Sequence, residues 1–146
     1  MRNSEAVEFW RHHKQVWDSS NAREMASTPS GLDVIELITI GRISGKWRSV
    51  LVSSVRSNNG WIVVASNLGR ETDPNWWMNL KAAACRGRIR VGGGRAFDIE
   101  AAELDGRDRA LAWSRFTRAS ERYKEYEATT TRRIPVIALR GIMPWD

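Results

Sequence analysis

The pattern of apolar and polar positions divides the chain into two unequal parts. Residues 4–17 place Val7, Trp10, Lys14 and Trp17 at helical spacing behind a Ser4 cap, which predicts an amphipathic helix with aromatic anchors. Residues 18–31 are polar and close on Pro29-Ser30-Gly31, the composition of a linker. From Leu32 onward, apolar runs of strand length alternate with glycine, asparagine and proline breaks. Leu32 to Ile40, Trp47 to Val55 and Trp61 to Ala65 read as the three strands of an antiparallel meander. Gly41 to Lys46 forms the first turn. Asn59-Gly60 forms the second, because the pair accepts the positive φ of a type I′ hairpin. Asp73-Pro74 couples an N-cap to a proline at the first helical position, predicting a helix from Pro74 to about Ala84. Arg86 to Val91 and Arg95 to Leu104 flank Gly92-Gly93-Gly94 as another hairpin. Asp105 caps a helix carrying Leu111, Trp113 and Phe116, followed by a second helical stretch from Glu121 to Thr130. Ile134 to Leu139 closes as a last strand, with Pro135 near its start where a strand tolerates it. Six short strands with two to three helices predict an α+β domain whose sheet curls into a barrel and leaves a groove for a flat ligand.

Composition narrows the function classes. The 146 residues suit one domain, with residues 1–31 as an N-terminal helix and linker and residues 32–146 as the barrel. No stretch approaches the ~20 apolar residues of a membrane span. The first residues lack the apolar run of a secretory signal. Cys85 is the only cysteine, so no intrachain disulfide can form and a reducing cytoplasm is expected. The net charge of +6 favours an anionic partner such as a phosphorylated cofactor, or carries no meaning at all. Cations and acids are interleaved rather than gathered in a basic tract, so no nucleic acid is expected.

Two segments could carry chemistry. Gly41-Arg42-Ile43-Ser44-Gly45-Lys46-Trp47-Arg48 sets three cations and a hydroxyl on a glycine-flanked turn, which suits a phosphate cradle. A solvated basic hairpin tip is the simpler reading of that segment alone. Val63-Val64-Ala65-Ser66-Asn67-Leu68-Gly69, followed by Pro74-Asn75-Trp76-Trp77-Met78-Asn79-Leu80, brings a buried strand to a loop and then to a helix start, a setting for anions and polar ring edges. Trp76 and Trp77 are adjacent, so one of them is expected to border a pocket or pack under a neighbouring element rather than share the core. His12 and His13 point about 100° apart on a helix and cannot chelate one metal together, and Glu24, Asp98 and Glu100 show no acid–base pairing, so no metal is expected. Cys85 has no partner motif and reads as an inert thiol.

Taken in order, Thr39-Ile40-Gly41-Arg42-Ile43-Ser44-Gly45-Lys46-Trp47-Arg48, the Val63–Gly69 strand end, Pro74 to Leu80, and Tyr123-Lys124-Glu125-Tyr126 with Thr131 and Arg133-Ile134-Pro135-Val136 resemble the deazaflavin-dependent nitroreductase family. These are F420H2-dependent reductases of the split β-barrel flavin-binding superfamily. The resemblance covers about residues 32–140 and implies a six-stranded antiparallel split β-barrel, FMN-binding-like, that binds coenzyme F420. It implies hydride transfer from the reduced deazaflavin to small planar electron-poor acceptors: activated alkenes or enones, nitroaromatics and quinone-like compounds. Carried over, Arg42, Ile43, Ser44, Lys46 and Arg48 would surround the phosphate, and Val50 and Val52 would lie along the cofactor. Val64, Ala65, Ser66 and Asn67 would meet the ring edge, and Asn75, Trp76, Met78 and Asn79 would close the far side. Tyr123, Tyr126 and Ser66 are the catalytic candidates, with Trp10 and Trp17 of the N-terminal helix as a lid. The chain departs from the family pattern at Ile43, Trp47 and Leu68, where a cation, a proline and a second glycine are usual. An FMN-binding reductase on the same barrel and a non-catalytic cofactor- or lipid-binding module are the alternatives. A monomer or homodimer, and a peripheral membrane contact, are both compatible with this reading.

Overall fold

The computed structural model describes Arg11, Lys14, Gln15, residues 32–92 and residues 94–145, with side chains as far as Ile142. The expected helix over 4–17, its lid tryptophans, His12, His13 and the 18–31 linker lie outside the described residues, apart from Arg11, Lys14 and Gln15, which are helical.

Six antiparallel strands close on themselves in the order β1-β2-β3-β6-β5-β4. They are β1 (Asp33–Ile40), β2 (Trp47–Ser57), β3 (Gly60–Val64), β4 (Arg86–Arg90), β5 (Ala96–Glu103) and β6 (Val136–Trp145). Within residues 32–145, three α-helices accompany the barrel: α1 (Asn75–Ala82), α2 (Gly106–Ala119) and α3 (Arg122–Thr129). The expected six-stranded α+β barrel is therefore present. The last strand is longer than its apolar run predicts, because β6 runs on past Leu139 to pair with all of β5 around a register shift at Asp98/Ile99.

Period-two alternation sorts the side chains into two cores. Ile35, Leu37, Trp61, Val63, Ile89, Ile99, Ile137 and Leu139 fill the barrel, where α1 adds Trp76, Trp77 and Leu80. On the outer surface, α2 lays Ala112 and Phe116 over Val55, Ile62, Val64 and Val136. Leu111, expected among the apolar anchors of α2, is exposed instead.

Three local expectations are corrected. Trp76 and Trp77 share the barrel core, both under 9% exposed. With Asn79 and Leu80 they span an arc of roughly 160° on α1, so a helix sunk against the barrel buries adjacent positions together. The β2–β3 turn consists of Asn58 and Asn59, with Ser57 paired to Gly60, and none of these residues has positive φ. Gly60 is required by proximity: a Cβ there would stand 1.9 Å from the Leu139 carbonyl oxygen across the β3–β6 pairing. Similarly, Pro74 occupies the N-cap of α1, not its first turn, and Asp73 spends its carboxylate on Arg132, 2.8 Å away.

Candidate active site

The barrel is split along β2. Residues 47–54 of β2 pair with β1, but only Ser54 to Ser57 pair with β3. The stretch from Trp47 to Ser53 therefore has strand pairing on one edge alone. Its first four residues are all exposed, including Val50 and a Trp47 that is 48% accessible beneath the Arg88 guanidinium. Ile43, at the adjoining hairpin tip, is 91% exposed.

The tip itself is tightly made. Gly41 N–H donates to the Lys46 carbonyl and Gly45 N–H to the Gly41 carbonyl, both at 2.8 Å, with Gly45 at φ +71°. Ser44 Oγ accepts from the Lys46 N–H at 3.2 Å and lies 2.5 Å from where a Gly41 Cβ would stand. Arg42 turns away from the open edge. Its N–H and Nη1 both donate to Asn79 Oδ1, at 3.1 and 2.9 Å, and Nη2 reaches Asn75 Oδ1 at 3.3 Å. Asn79, buried, donates in turn to Thr39 Oγ1 at 3.2 Å. Arg42, Asn75 and Asn79 thus form a bracket that ties the β1–β2 hairpin to α1. Lys46 and Arg48 differ: among the described residues neither side-chain cation has a hydrogen-bonding or ion-pair partner.

The end of β3 supplies a second wall. Ala65 is fully buried, its N–H donating to the Pro135 carbonyl at 2.9 Å, and Ser66 is half-buried. The chain then takes three successive left-handed residues, Asn67 (φ +49°), Leu68 (φ +58°) and Gly69 (φ +81°). Leu68 thus occupies a backbone position that favours glycine. The Asn67 side chain is spent within this loop, donating to the Thr72 carbonyl at 3.0 Å and accepting from Arg70 at 3.4 Å.

α3 brings the tyrosines to the same place. Gly69 lies so close to α3 that a Cβ would meet Thr129 Oγ1 at 2.6 Å and Tyr126 at 3.3 Å. Tyr123 makes edge-on contacts with Phe116, Tyr126 and Trp113, with the Ser53 hydroxyl on β2 as its hydrogen-bonding neighbour. Burial pushes its phenol up to about 12. Arg122 Nη1 donates to the Tyr126 hydroxyl at 3.4 Å.

The structure thus gathers Lys46, Arg48 and Val50 on the open edge, Ala65 to Asn67 at the strand end, and Tyr123 and Tyr126 on α3. Met78 is half-buried and Asn75 exposed on α1. Val52, Val64 and Trp76 turn their side chains into the two cores. Ser53 and Arg132, to which the sequence assigns no role, also belong here, their only linear signal being proximity to motif residues; Thr39, quoted only as the first residue of the hairpin motif, joins them through Asn79.

The sequence matches the F420H(2)-dependent quinone reductase family over residues 8–140, most of the chain. The chain belongs to that family. It is 29% identical over 136 residues to an F420H(2)-dependent quinone reductase of Mycobacterium tuberculosis, covering 91% of this chain and 90% of the relative. A solved F420-H2 dependent reductase is 32% identical over 73% of this chain and 93% of its own, with a TM-score of 0.64. A second structure, described as a domain-swapped dimer, is 28% identical over 92% of this chain and 99% of its own, with a TM-score of 0.67. The heme storage protein HutZ of Vibrio cholerae, 11% identical at a TM-score of 0.55, shares the fold alone. Its family, the F420H2-dependent reductases, lies within the split-barrel flavin-binding superfamily. Among the described residues, no helix is long and apolar enough to cross a membrane, and no group of His, Cys, Asp and Glu could hold a metal.

Proposed function

We propose that the open edge of β2 binds coenzyme F420 and that the enzyme passes hydride from its reduced form to small planar electron-poor acceptors. The observation that carries the reading is the pair of unpartnered cations, Lys46 in the turn and Arg48 on the stretch of β2 that runs unpaired toward Ser53 and the end of β3. The donor set fits the group: two free cations suit a phosphodiester and carboxylates, an exposed Val50 offers an apolar flank, and the Ser66 and Asn67 N–H groups, which close no bond within the loop, suit a ring edge. When bound, the reduced deazaflavin supplies the hydride.

The chain's own residues do the rest. Lys46 and Arg48 offset phosphate charge, while the Arg42–Asn75–Asn79 bracket keeps the hairpin from which they project in one position. Tyr126 donates a hydrogen bond to the acceptor's oxygen, and the Arg122 guanidinium on the phenol oxygen strengthens that donor. Tyr123 stays neutral at working pH and orients Tyr126 through their edge-on contact. Quinone-like acceptors, enones and nitroaromatics each offer such an oxygen beside an electron-poor carbon or nitrogen. A cytoplasmic setting follows from that cofactor and from the lone thiol.

Titration of the protein against F420, followed by cofactor fluorescence, tests this reading. The parent should bind, and Arg48→Ala should bind more than tenfold more weakly, the cost of a lost charge-assisted bond at ~1.5–3 kcal/mol. Preferential binding of FMN, or equal F420 affinity in parent and variant, would overturn it.

A further inference from the structure

Arg132 stands outside the aromatic wall and outside the open edge, yet its guanidinium makes more directed contacts than any cation of the β1–β2 hairpin. Nε donates to the Arg70 carbonyl at 2.9 Å. Nη1 donates to Asp73 Oδ1 at 2.8 Å, and Nη2 to the Ala65 and Ser66 carbonyls at 3.1 and 2.8 Å. The four acceptors bracket the left-handed turn: two precede Asn67 and two follow Gly69. The Arg132 side chain is only 14% exposed, so water competes poorly for these bonds.

Its neighbours work in the same direction. Thr130 Oγ1 donates to the same Arg70 carbonyl at 3.4 Å. The Thr131 N–H and hydroxyl both donate to the Glu71 carboxylate, at 3.1 and 2.8 Å, and hold it below the usual carboxylate range. Residues 130–132 therefore form a strap across the loop from Ala65 to Asp73. What the strap restrains is a turn that local sterics oppose. Asn67 tolerates positive φ and Gly69 requires nothing else, but Leu68 at φ +58°, ψ +29° is a bulky residue in the left-handed region. A strained backbone persists only where its surroundings over-determine it, and such positions gather at functional sites.

We infer that Arg132 is a positioning residue for the cofactor: it holds the Asn67–Gly69 turn in the one conformation that presents Ser66 and Asn67 to the open edge. This rests on the reading of the open edge as the F420 site. A planar fork with five donors suits the task, whereas a lysine ammonium cannot reach acceptors on both sides of the turn in one geometry.

The test uses the full chain and three readouts: F420 affinity by fluorescence, backbone hydrogen exchange over residues 66–70 without cofactor, and thermal melting. Arg132→Met should weaken F420 binding at least tenfold and speed exchange over 66–70 at least tenfold, with exchange in β3 and β6 kept slow. Arg132→Lys should fall on the same side, and it serves as the variant if Arg132→Met does not fold. Leu68→Gly, which removes the steric cost of the turn, should restore part of the affinity lost in either variant. A folded Arg132 variant with parental affinity and parental exchange over 66–70 overturns the inference, as does loss of protection throughout the barrel with no rescue by Leu68→Gly. If the parent itself fails to bind F420, the cofactor reading fails, and the exchange comparison alone then decides whether Arg132 holds the turn.

Discussion

Tyr123 and Tyr126 are three residues apart on one helix, yet their surroundings assign them different tasks. Tyr123 is enclosed by Phe116, Trp113 and Tyr126, and its phenol is pushed up to about 12 by burial. A phenol whose folded-state value lies above the ordinary value near 10 contributes stability that is fully present below 10 and lost as pH rises toward 12. In a Tyr126→Phe protein, tyrosinate absorbance should therefore appear only as pH approaches 12, together with the alkaline loss of structure; a midpoint near 10 in folded protein would show a solvated Tyr123. Tyr126 meets Arg122 at its hydroxyl and, at its ring, Gly69 of the turn that follows β3. The same Tyr126→Phe change should lower turnover of a quinone or enone by about 10²-fold while leaving F420 affinity and melting temperature nearly unchanged, the signature of a lost hydrogen-bond donor. A drop in melting temperature with turnover per folded molecule preserved would make Tyr126 a packing residue.

The elements carry strain of their own where α1 hands over to β4. Ala84 (φ +55°) and Cys85 (φ +61°) are both left-handed, and the Cys85 N–H closes the helix end on the Leu80 carbonyl at 2.8 Å. Helices commonly end this way on glycine, which has no Cβ to clash. Ala84 is exposed, so no packing is lost by removing its methyl. Ala84→Gly should stabilise the protein by about 0.5–1 kcal/mol, since relief of the left-handed conformation outweighs the added chain entropy of glycine. Chemical denaturation reads this directly, and a lower midpoint would mean that the helix end relaxes without cost. The same helix holds the β1–β2 hairpin through Asn75 and Asn79, so α1 serves the site as a support as well as a core element.

At the scale of the whole molecule, barrel closure depends on backbone contact between strands far apart in sequence. Gly60 on β3 faces Arg140 on β6 in the register, and the Leu139 carbonyl occupies the space a side chain would need. Gly60→Ala should force β6 away and cost about 1–3 kcal/mol or more, the range for over-packed interiors. The melting temperature should fall while the β1–β2 hairpin keeps its pairing; an unchanged melting temperature would show that the seam yields. Because β2 is longer than the edge β3 offers it, closure leaves Trp47 to Ser53 paired on one side only, which is the open edge of the barrel.

Strand-length apolar runs, glycine-rich turns and proline positions determined the six-strand barrel and its two C-terminal helices, because period and turn chemistry are local properties. Four ordered motifs likewise determined the family. Other features depended on contacts across more than thirty positions. Arg42 and Lys46 look alike in the hairpin, but only α1, packed alongside, supplies Asn75 and Asn79 to occupy the one and leave the other free. Trp76 and Trp77 share a core because the depth to which a helix sinks is set by what it packs against. Arg132 is one arginine in a basic stretch until folding sets the Ala65, Ser66 and Arg70 carbonyls around it. Linear pattern records which residues prefer which local conformation. Which polar groups find partners, and which remain free for a ligand, is decided only when the chain brings distant donors and acceptors within hydrogen-bond reach.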